Sequence, residues 1–280
     1  MIARAALAAA VPRLRAAGVE DAPRDARLLL AHAMGIPPDR LTLHIGDLMT
    51  GPQVNSFDAA IAARAARKPL SQITGRRLFW GLPFRVTSDT LDPRPETEIL
   101  VAEALAEPFA KVLDLGTGTG CILLALLSER PEATGLGLDI SAPALAVARE
   151  NAMTLGLSDC AFFAQSNWLG GLRGEFDLIV SNPPYISVDE MSGLSPEVRK
   201  HEPHMALTDF GDGLSAYRVI ASTVPFCLGP NGRLLLEIGP TQGQVVASLL
   251  QAEGFHDIRI LPDLDGRDRV VAARRPVESR

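Results

Sequence analysis

The chain has 280 residues, 47% hydrophobic and 21% charged, which is enough apolar surface for one or two globular domains. Its net charge of −6 argues against a broad nucleic-acid face, and no apolar run reaches the roughly 18–20 residues that a membrane helix needs. Three widely separated cysteines, Cys121, Cys160 and Cys227, exclude a disulfide framework or a cysteine metal motif and read as small buried hydrophobes in a reducing, cytoplasmic setting.

Arg4 followed by Ala5 to Val11 faintly imitates a secretory leader, but Pro12, Arg13 and Arg15 interrupt it, so an ordinary first helix is expected. That helix covers residues 2–17, with a kink or break at Pro12 and a stop at Gly18. A second runs from Arg24 to Met34, opened near Pro23 and closed by Gly35. A short turn follows at Asp39–His44, then a third helix at Ser56–Lys68 before Pro69. Residues 1–75 therefore read as a small helical bundle with a role in packing or recognition. They carry nine Lys/Arg against six Asp/Glu, which leaves −9 on the remainder.

The stretch from Leu78 to Val86 is aromatic and β-branched, interrupted by Gly81-Leu82-Pro83, and reads as a β-hairpin inside a linker over residues 76–92. Residues 93–280 form a second domain. Pro93-Arg94-Pro95-Glu96-Thr97-Glu98 holds an extended segment ahead of a helix from Ile99 to Leu105. Acidic residues at a helix start complement its dipole, but they do not account for an arginine held between two prolines. Strands and helices then alternate: strand 111–115, helix 119–129, strand 134–139, helix 142–155, strands 160–166 and 176–181, a helix near 213–227, strand 233–238, helix 241–253, and strands 257–262 and 269–274. Such alternation predicts an α/β doubly wound, mostly parallel seven-stranded sheet, and the short Asp/Gly turn at 263–268 marks an antiparallel edge hairpin.

Within that alternation, Val112-Leu113-Asp114-Leu115 runs into Gly116-Thr117-Gly118-Thr119-Gly120 and a helix. The glycines fall as G-x-G-x-G rather than the dinucleotide G-x-G-x-x-G, and Asp114 stands two residues before the first of them. A diphosphate would not tolerate that charge, whereas a cationic ligand would favour it. The next strand ends in Asp139, 23 residues after Gly116, placed to bond ribose hydroxyls. A nucleoside with a cationic tail and no phosphate is S-adenosylmethionine. Trp168 follows the third strand, where flanking the adenine and ordinary core packing are both open.

The strand 176–181 ends in Asn182-Pro183-Pro184-Tyr185. The prolines fix the backbone and stop the strand, which makes a rigid corner at its carboxyl end. There the Asn182 side-chain oxygen and the Pro183 carbonyl can each accept one N–H of a planar NH2 group. An exocyclic adenine amine would suit the same corner, but the acidic charge and the lack of a separate basic region speak against DNA.

Together, Arg94-Pro-Glu-Thr-Glu98, Asp114 to Gly120, Asp139, Asn182 to Tyr185, Glu202-Pro203, Asp212-Gly213-Leu214 with Tyr217-Arg218, and Glu237-Ile238-Gly239 with Gln242 resemble the release-factor glutamine methyltransferases. The resemblance implies a Rossmann-like class I methyltransferase that methylates the amide nitrogen N5 of the glutamine in the Gly-Gly-Gln motif of class-1 peptide-chain release factors, supporting translation termination. It implies a helical domain that helps dock the release factor, with neither nucleic acid nor membrane as a direct partner. It assigns Gly116, Thr117, Gly118, Thr119, Gly120, Asp139, Trp168 and Asn182 to the cofactor. It assigns Asn182, Pro183, Pro184 and Tyr185 to the glutamine, with Asn182, Pro183 and Tyr185 acting in catalysis. Two positions depart from the family pattern: Asn167 where an aspartate before the tryptophan is usual, and His201 where an aromatic is common.

Overall fold

The computed structural model describes residues 1–275, which divide into two compact units. The first comprises residues 1–76 and 195–201, the second residues 77–194 and 202 onward.

The helical unit contains α1 (Ala3–Ala16), α2 (Ala22–Met34), α3 (Leu41–His44), α4 (Gly51–Ala65) and α5 (Leu70–Thr74). α1 continues through Pro12, so the helix does not break there. A lost backbone bond is tolerated because Ala3, Ala6, Ala10 and Leu14 form one buried face of this helix, and packing rather than propensity holds it. α2 starts as expected, with Asp21 accepting from the Arg24 N–H at 3.3 Å, and ends on left-handed Gly35. α4 begins five residues before the expected Ser56, because Thr50 and Gln53 form a capping box with Pro52 in the first turn.

The second unit opens on a hairpin, β1 (Arg76–Phe79) and β2 (Leu82–Arg85). Trp80 and Gly81 make its two-residue turn, both at positive φ, so Pro83 lies inside β2 instead of interrupting the hairpin. α6 (Glu98–Leu105) follows a 3-10 turn at Pro95–Thr97. Then come β3 (Lys111–Leu115), α7 (Cys121–Glu129), β4 (Thr134–Asp139), α8 (Ala142–Thr154), β5 (Ala161–Gln165) and β6 (Phe176–Ser181). The short α9 (Pro196–His201), for which no element was expected, belongs to the helical unit. There Glu197 takes Arg67 Nε at 2.6 Å and Nη2 at 2.7 Å, and Arg64 Nη1 at 2.9 Å, while Arg64 also holds buried Asp25 at 2.7 Å. The chain then returns through α10 (Ser215–Thr223), β7 (Leu228–Glu237), α11 (Gly243–Ala252), β8 (His256–Pro262) and β9 (Asp268–Arg274).

Among the described residues, seven strands form one sheet in the order β5-β4-β3-β6-β7-β9-β8. All neighbours are parallel except β9, which runs antiparallel to both β7 and β8 at the edge. The central strands are buried on both faces, which is why they read as continuous apolar runs. Val112, Leu178 and Val180 enter one core cluster; Leu113, Leu115 and Ile179 enter the other. The strand order reverses at β3, whose neighbours β4 and β6 lead away in opposite directions. A ligand crevice is expected outside the carboxyl ends of strands at such a switch point.

Candidate active site

A cavity of about 490 Å³ lies at this switch point, within the second unit, and falls in the usual size range for a small ligand or cofactor. Gly116, Thr117, Gly118 and Thr119 form one wall. Gly116 and Gly118 have φ of +73° and +53°, and a Cβ on either would meet nothing within 4 Å. Their backbone is therefore bare toward open space, as close ligand approach requires. Gly120 does not line the cavity. Its φ is +78° and a Cβ there would press on Leu124 and Ala148 at 3.2 and 3.3 Å, so it serves the packing of α7 against α8.

Asp139 lines the cavity at the end of β4. Its Oδ2 accepts from the Gly118 N–H and its Oδ1 from the Ser141 N–H, both at 2.9 Å. Each oxygen keeps a lone pair for a ligand hydroxyl, and the carboxylate also sets the height of the glycine loop. Asp114 takes a different place from the expected one. It is wholly buried behind the loop and off the cavity wall, with Oδ2 accepting from the Thr117 hydroxyl at 2.6 Å and Oδ1 unpartnered among the described residues. Burial pushes its carboxyl up to about 7 against that hydrogen bond, and the nearby Asp139 charge pushes the same way. Asp114 reaches the cavity through Thr117.

Trp168 lines the cavity from a left-handed backbone at φ +51° and also packs on the core below. Asn167 lines it as well. Cys121 is on the wall too, only half-buried by residue, with its thiol pushed up to about 12 by burial.

The corner after β6 opens into the same space: Asn182 and Pro184 line the cavity, whereas Pro183 is buried beneath it and Tyr185 turns toward the core. Burial holds the Tyr185 hydroxyl neutral, pushed up to about 12. The Gln242 side chain braces this corner. Gln242 Nε2 donates to the carbonyls of Tyr185 at 2.9 Å and Gly213 at 3.3 Å, and its Oε1 accepts from the Gly239 N–H at 2.9 Å. Gly213 sits at φ +75°, and a Cβ there would fall 2.3 Å from the Tyr185 carbonyl oxygen. Asp209 shapes the adjoining loop by accepting from the N–H groups of Gly211, Gly213 and Ser215 at 2.8–3.0 Å. Burial opposes its charge, but these bonds hold its carboxyl down at about 2.

Arg94 finds its explanation here. It lines the cavity and donates through Nη2 to both oxygens of Glu202 at 2.8 Å, and the Glu202 side chain is almost fully buried. The flanking prolines hold the backbone that aims it. Sequence reasoning missed other contributors. Buried Asn151 on α8 accepts from the Arg85 N–H at 2.7 Å and donates to the carbonyls of Arg85 and Thr119, tying the hairpin to the glycine loop. The Ser181 hydroxyl donates to the Leu115 carbonyl at 2.7 Å, joining the ends of β6 and β3. Ser181 is signalled only by its place at the end of an apolar run, and nothing local singles out Asn151, which follows Arg149 and Glu150. Among the described residues, no group of three metal-ligating side chains is assembled, and no helix is long and apolar enough to cross a membrane.

Residues 5–75 match the family described as PrmC N-terminal domain, and residues 87–194 match the methyltransferase small domain. A release factor glutamine methyltransferase from Cereibacter sphaeroides is 60% identical over 276 residues, covering 99% of both chains. One from Moorella thermoacetica is 40% identical, covering 99% of this chain and 100% of the other. A methyltransferase crystal structure from Pyrococcus furiosus superposes with a TM-score of 0.55 at 15% identity, covering 79% of this chain and 98% of that one, which speaks to fold alone. A match of this identity running the length of both chains places the protein in the release factor glutamine methyltransferase family.

Proposed function

We propose that the protein transfers a methyl group from S-adenosylmethionine to the side-chain amide N5 of the glutamine in the Gly-Gly-Gln motif of class-1 release factors, in the cytoplasm. The observation that carries this reading is that Asn182 and Pro184 of the proline corner line one cavity with the bare glycine wall. The glycine loop holds the nucleoside, Asp139 accepts from ribose hydroxyls, and Trp168 flanks the base. The bound cofactor supplies an electrophilic methyl on a sulfonium.

The chain's own residues handle the nucleophile. An amide nitrogen is poorly nucleophilic because its lone pair is delocalised into the carbonyl. The Asn182 side-chain oxygen and the Pro183 carbonyl accept its two N–H bonds, fix its plane and favour charge building on nitrogen, and one of those protons passes to water once methyl transfer has left the sulfonium as a neutral thioether. Orientation of this kind can supply up to about 7–11 kcal/mol of the barrier. Gln242 and Gly213 hold the corner in register by bracing the Tyr185 carbonyl. Tyr185 packs on the core and supports the corner from outside the cavity. The helical unit contributes docking of the release factor.

Methyl transfer from radiolabelled cofactor, with purified release factor, ribosomal subunits and DNA offered in parallel, tests the reading. Label on the release factor alone is expected. Label on a ribosomal protein or on DNA instead would overturn the substrate assignment.

A further inference from the structure

The bond to Glu202 uses only part of the Arg94 guanidinium. Nη2 gives its hydrogens to the two Glu202 oxygens, while Nε and Nη1 have no partner among the described residues. Three N–H donors therefore remain on a side chain that is 33% exposed and lines the cavity. Asp92 lines the same cavity. It is 7% exposed, and its Oδ1 is buried without a partner among the described residues, which is costly for a carboxylate unless a ligand completes it. Pro93 pushes Asp92 toward extended backbone, and Arg94 is extended at φ −99° and ψ 140°, so these two side chains, two residues apart, leave the chain on one side.

This segment stands at one particular end of the cavity. Three residues beyond Arg94, Thr97 Oγ1 lies 3.4 Å from Asn182 Nδ2, just past β6, whereas Asp139 ends β4 on the other side of β3. An S-adenosylmethionine with its ribose at Asp139 and its methyl at Asn182 has its amino-acid end still to be placed, and that end is joined to the sulfonium. It carries an ammonium and a carboxylate. Among the described residues, four aspartates line the cavity, Asp89, Asp92, Asp139 and Asp209, against one arginine and no lysine. A carboxylate thus has a single permanently charged cation to meet there, and it is Arg94. Glu202 balances the Arg94 charge and Asp92 adds one negative, which suits a cofactor end whose sulfonium, ammonium and carboxylate leave one net positive.

We propose that Arg94 and Asp92 bind the amino-acid end of the cofactor, Arg94 taking its carboxylate and Asp92 its ammonium. The inference rests on the reading of this cavity as the S-adenosylmethionine site.

The test is calorimetric binding to the full-length protein, with no release factor present and thermal midpoints measured alongside. Three ligands are compared: S-adenosylmethionine, its decarboxylated form, and methylthioadenosine, which lacks the whole amino-acid end. Arg94→Met is expected to weaken S-adenosylmethionine about tenfold or more, to leave the decarboxylated form unweakened, and to keep methylthioadenosine within about twofold. Asp92→Asn is expected to weaken S-adenosylmethionine and its decarboxylated form alike, since both keep the ammonium, and to spare methylthioadenosine. Arg94→Met strands the buried Glu202, so the double variant Arg94→Met with Glu202→Gln is measured beside it, and the same selectivity is expected when no buried charge is left unpaired. Undiminished S-adenosylmethionine affinity in the Arg94 variants, or a loss shared equally by the decarboxylated form, would overturn the carboxylate contact. Native affinity in Asp92→Asn, or a loss shared by methylthioadenosine, would overturn the ammonium contact. The underlying reading fails separately, if the native protein binds none of the three ligands.

Discussion

Replacing Gly213 by alanine should disable the site without touching the cavity wall. The added Cβ would lie 2.3 Å from the Tyr185 carbonyl oxygen and 3.0 Å from its carbon, so one backbone must retreat by most of an ångström. The residue also sits at φ +75°, which costs a non-glycine residue about 1–2 kcal/mol before any contact is counted. The carbonyl that must move is the one Gln242 Nε2 holds at 2.9 Å, so relief of the clash loosens the brace on the Asn182–Tyr185 corner. Losing that bond adds about 1 kcal/mol, for a total destabilisation of about 2–3 kcal/mol. A misplacement near 1 Å can cost about 10²-fold in turnover. The assay pairs denaturant unfolding with single-turnover methylation and calorimetric cofactor binding. The rate is expected to fall about a hundredfold, and affinity far less, because the glycine wall and Asp139 stand apart from Gly213. Gly266→Ala is the control: its φ is +78°, but a Cβ there meets nothing within 4 Å, so it should show the strain cost with normal turnover. Equal behaviour of the two variants would refute the bracing argument.

Asp139→Ala should weaken cofactor binding by about 1.5–3 kcal/mol, roughly 10- to 100-fold, since it removes a charged acceptor and frees the Gly118 N–H; unchanged affinity by calorimetry in a folded variant would take Asp139 out of the site. Asp114 and Glu237 both titrate near 7 when folded, raised by burial, against about 4 unfolded. Between those values the folded state holds the extra protons, so stability of the cofactor-free protein should fall as pH rises from about 4 to 7. Asp114→Asn should flatten that slope in thermal unfolding, and an unaltered slope would contradict the burial argument. Glu197→Ala should destabilise the helical unit by about 3 kcal/mol, as Arg64 and Arg67 lose a largely buried shared partner. Burial opposes the Glu197 charge, but the two arginines hold its carboxyl down at about 2, so its contribution is present above about pH 4.5 and lost as pH falls through 2; a variant with wild-type unfolding at pH 7 would rule this out.

The parts of the fold that were legible are those where one local signal suffices. β3, β4 and β6 have the bounds expected of them, because a strand buried on both faces is an apolar run that ends at its loop. The glycine loop and the proline corner were readable because backbone chemistry restricts both. Elements that answer to distant partners were hidden. α9 is six residues long, and its Glu197 finds Arg64 and Arg67 some 130 residues earlier in sequence. Arg94 was conspicuous and unexplained until Glu202, 108 residues away, closed on it. Asp114 was read as facing a cation, since spacing from a glycine does not reveal on which side of a loop a carboxylate is buried. Thr97 looked like part of a helix start, and its unused capping role appears only in three dimensions.

The central claim is that the Asn182–Pro183 corner presents a glutamine amide to the cofactor methyl. Tandem mass spectrometry of a purified class-1 release factor, after incubation with the protein and S-adenosylmethionine, tests it most directly. One added CH2 is expected, located on the side-chain nitrogen of the Gly-Gly-Gln glutamine and absent when Asn182→Ala replaces the native chain. A methyl group on any other residue, or a normal yield of the glutamine product from Asn182→Ala, would contradict it.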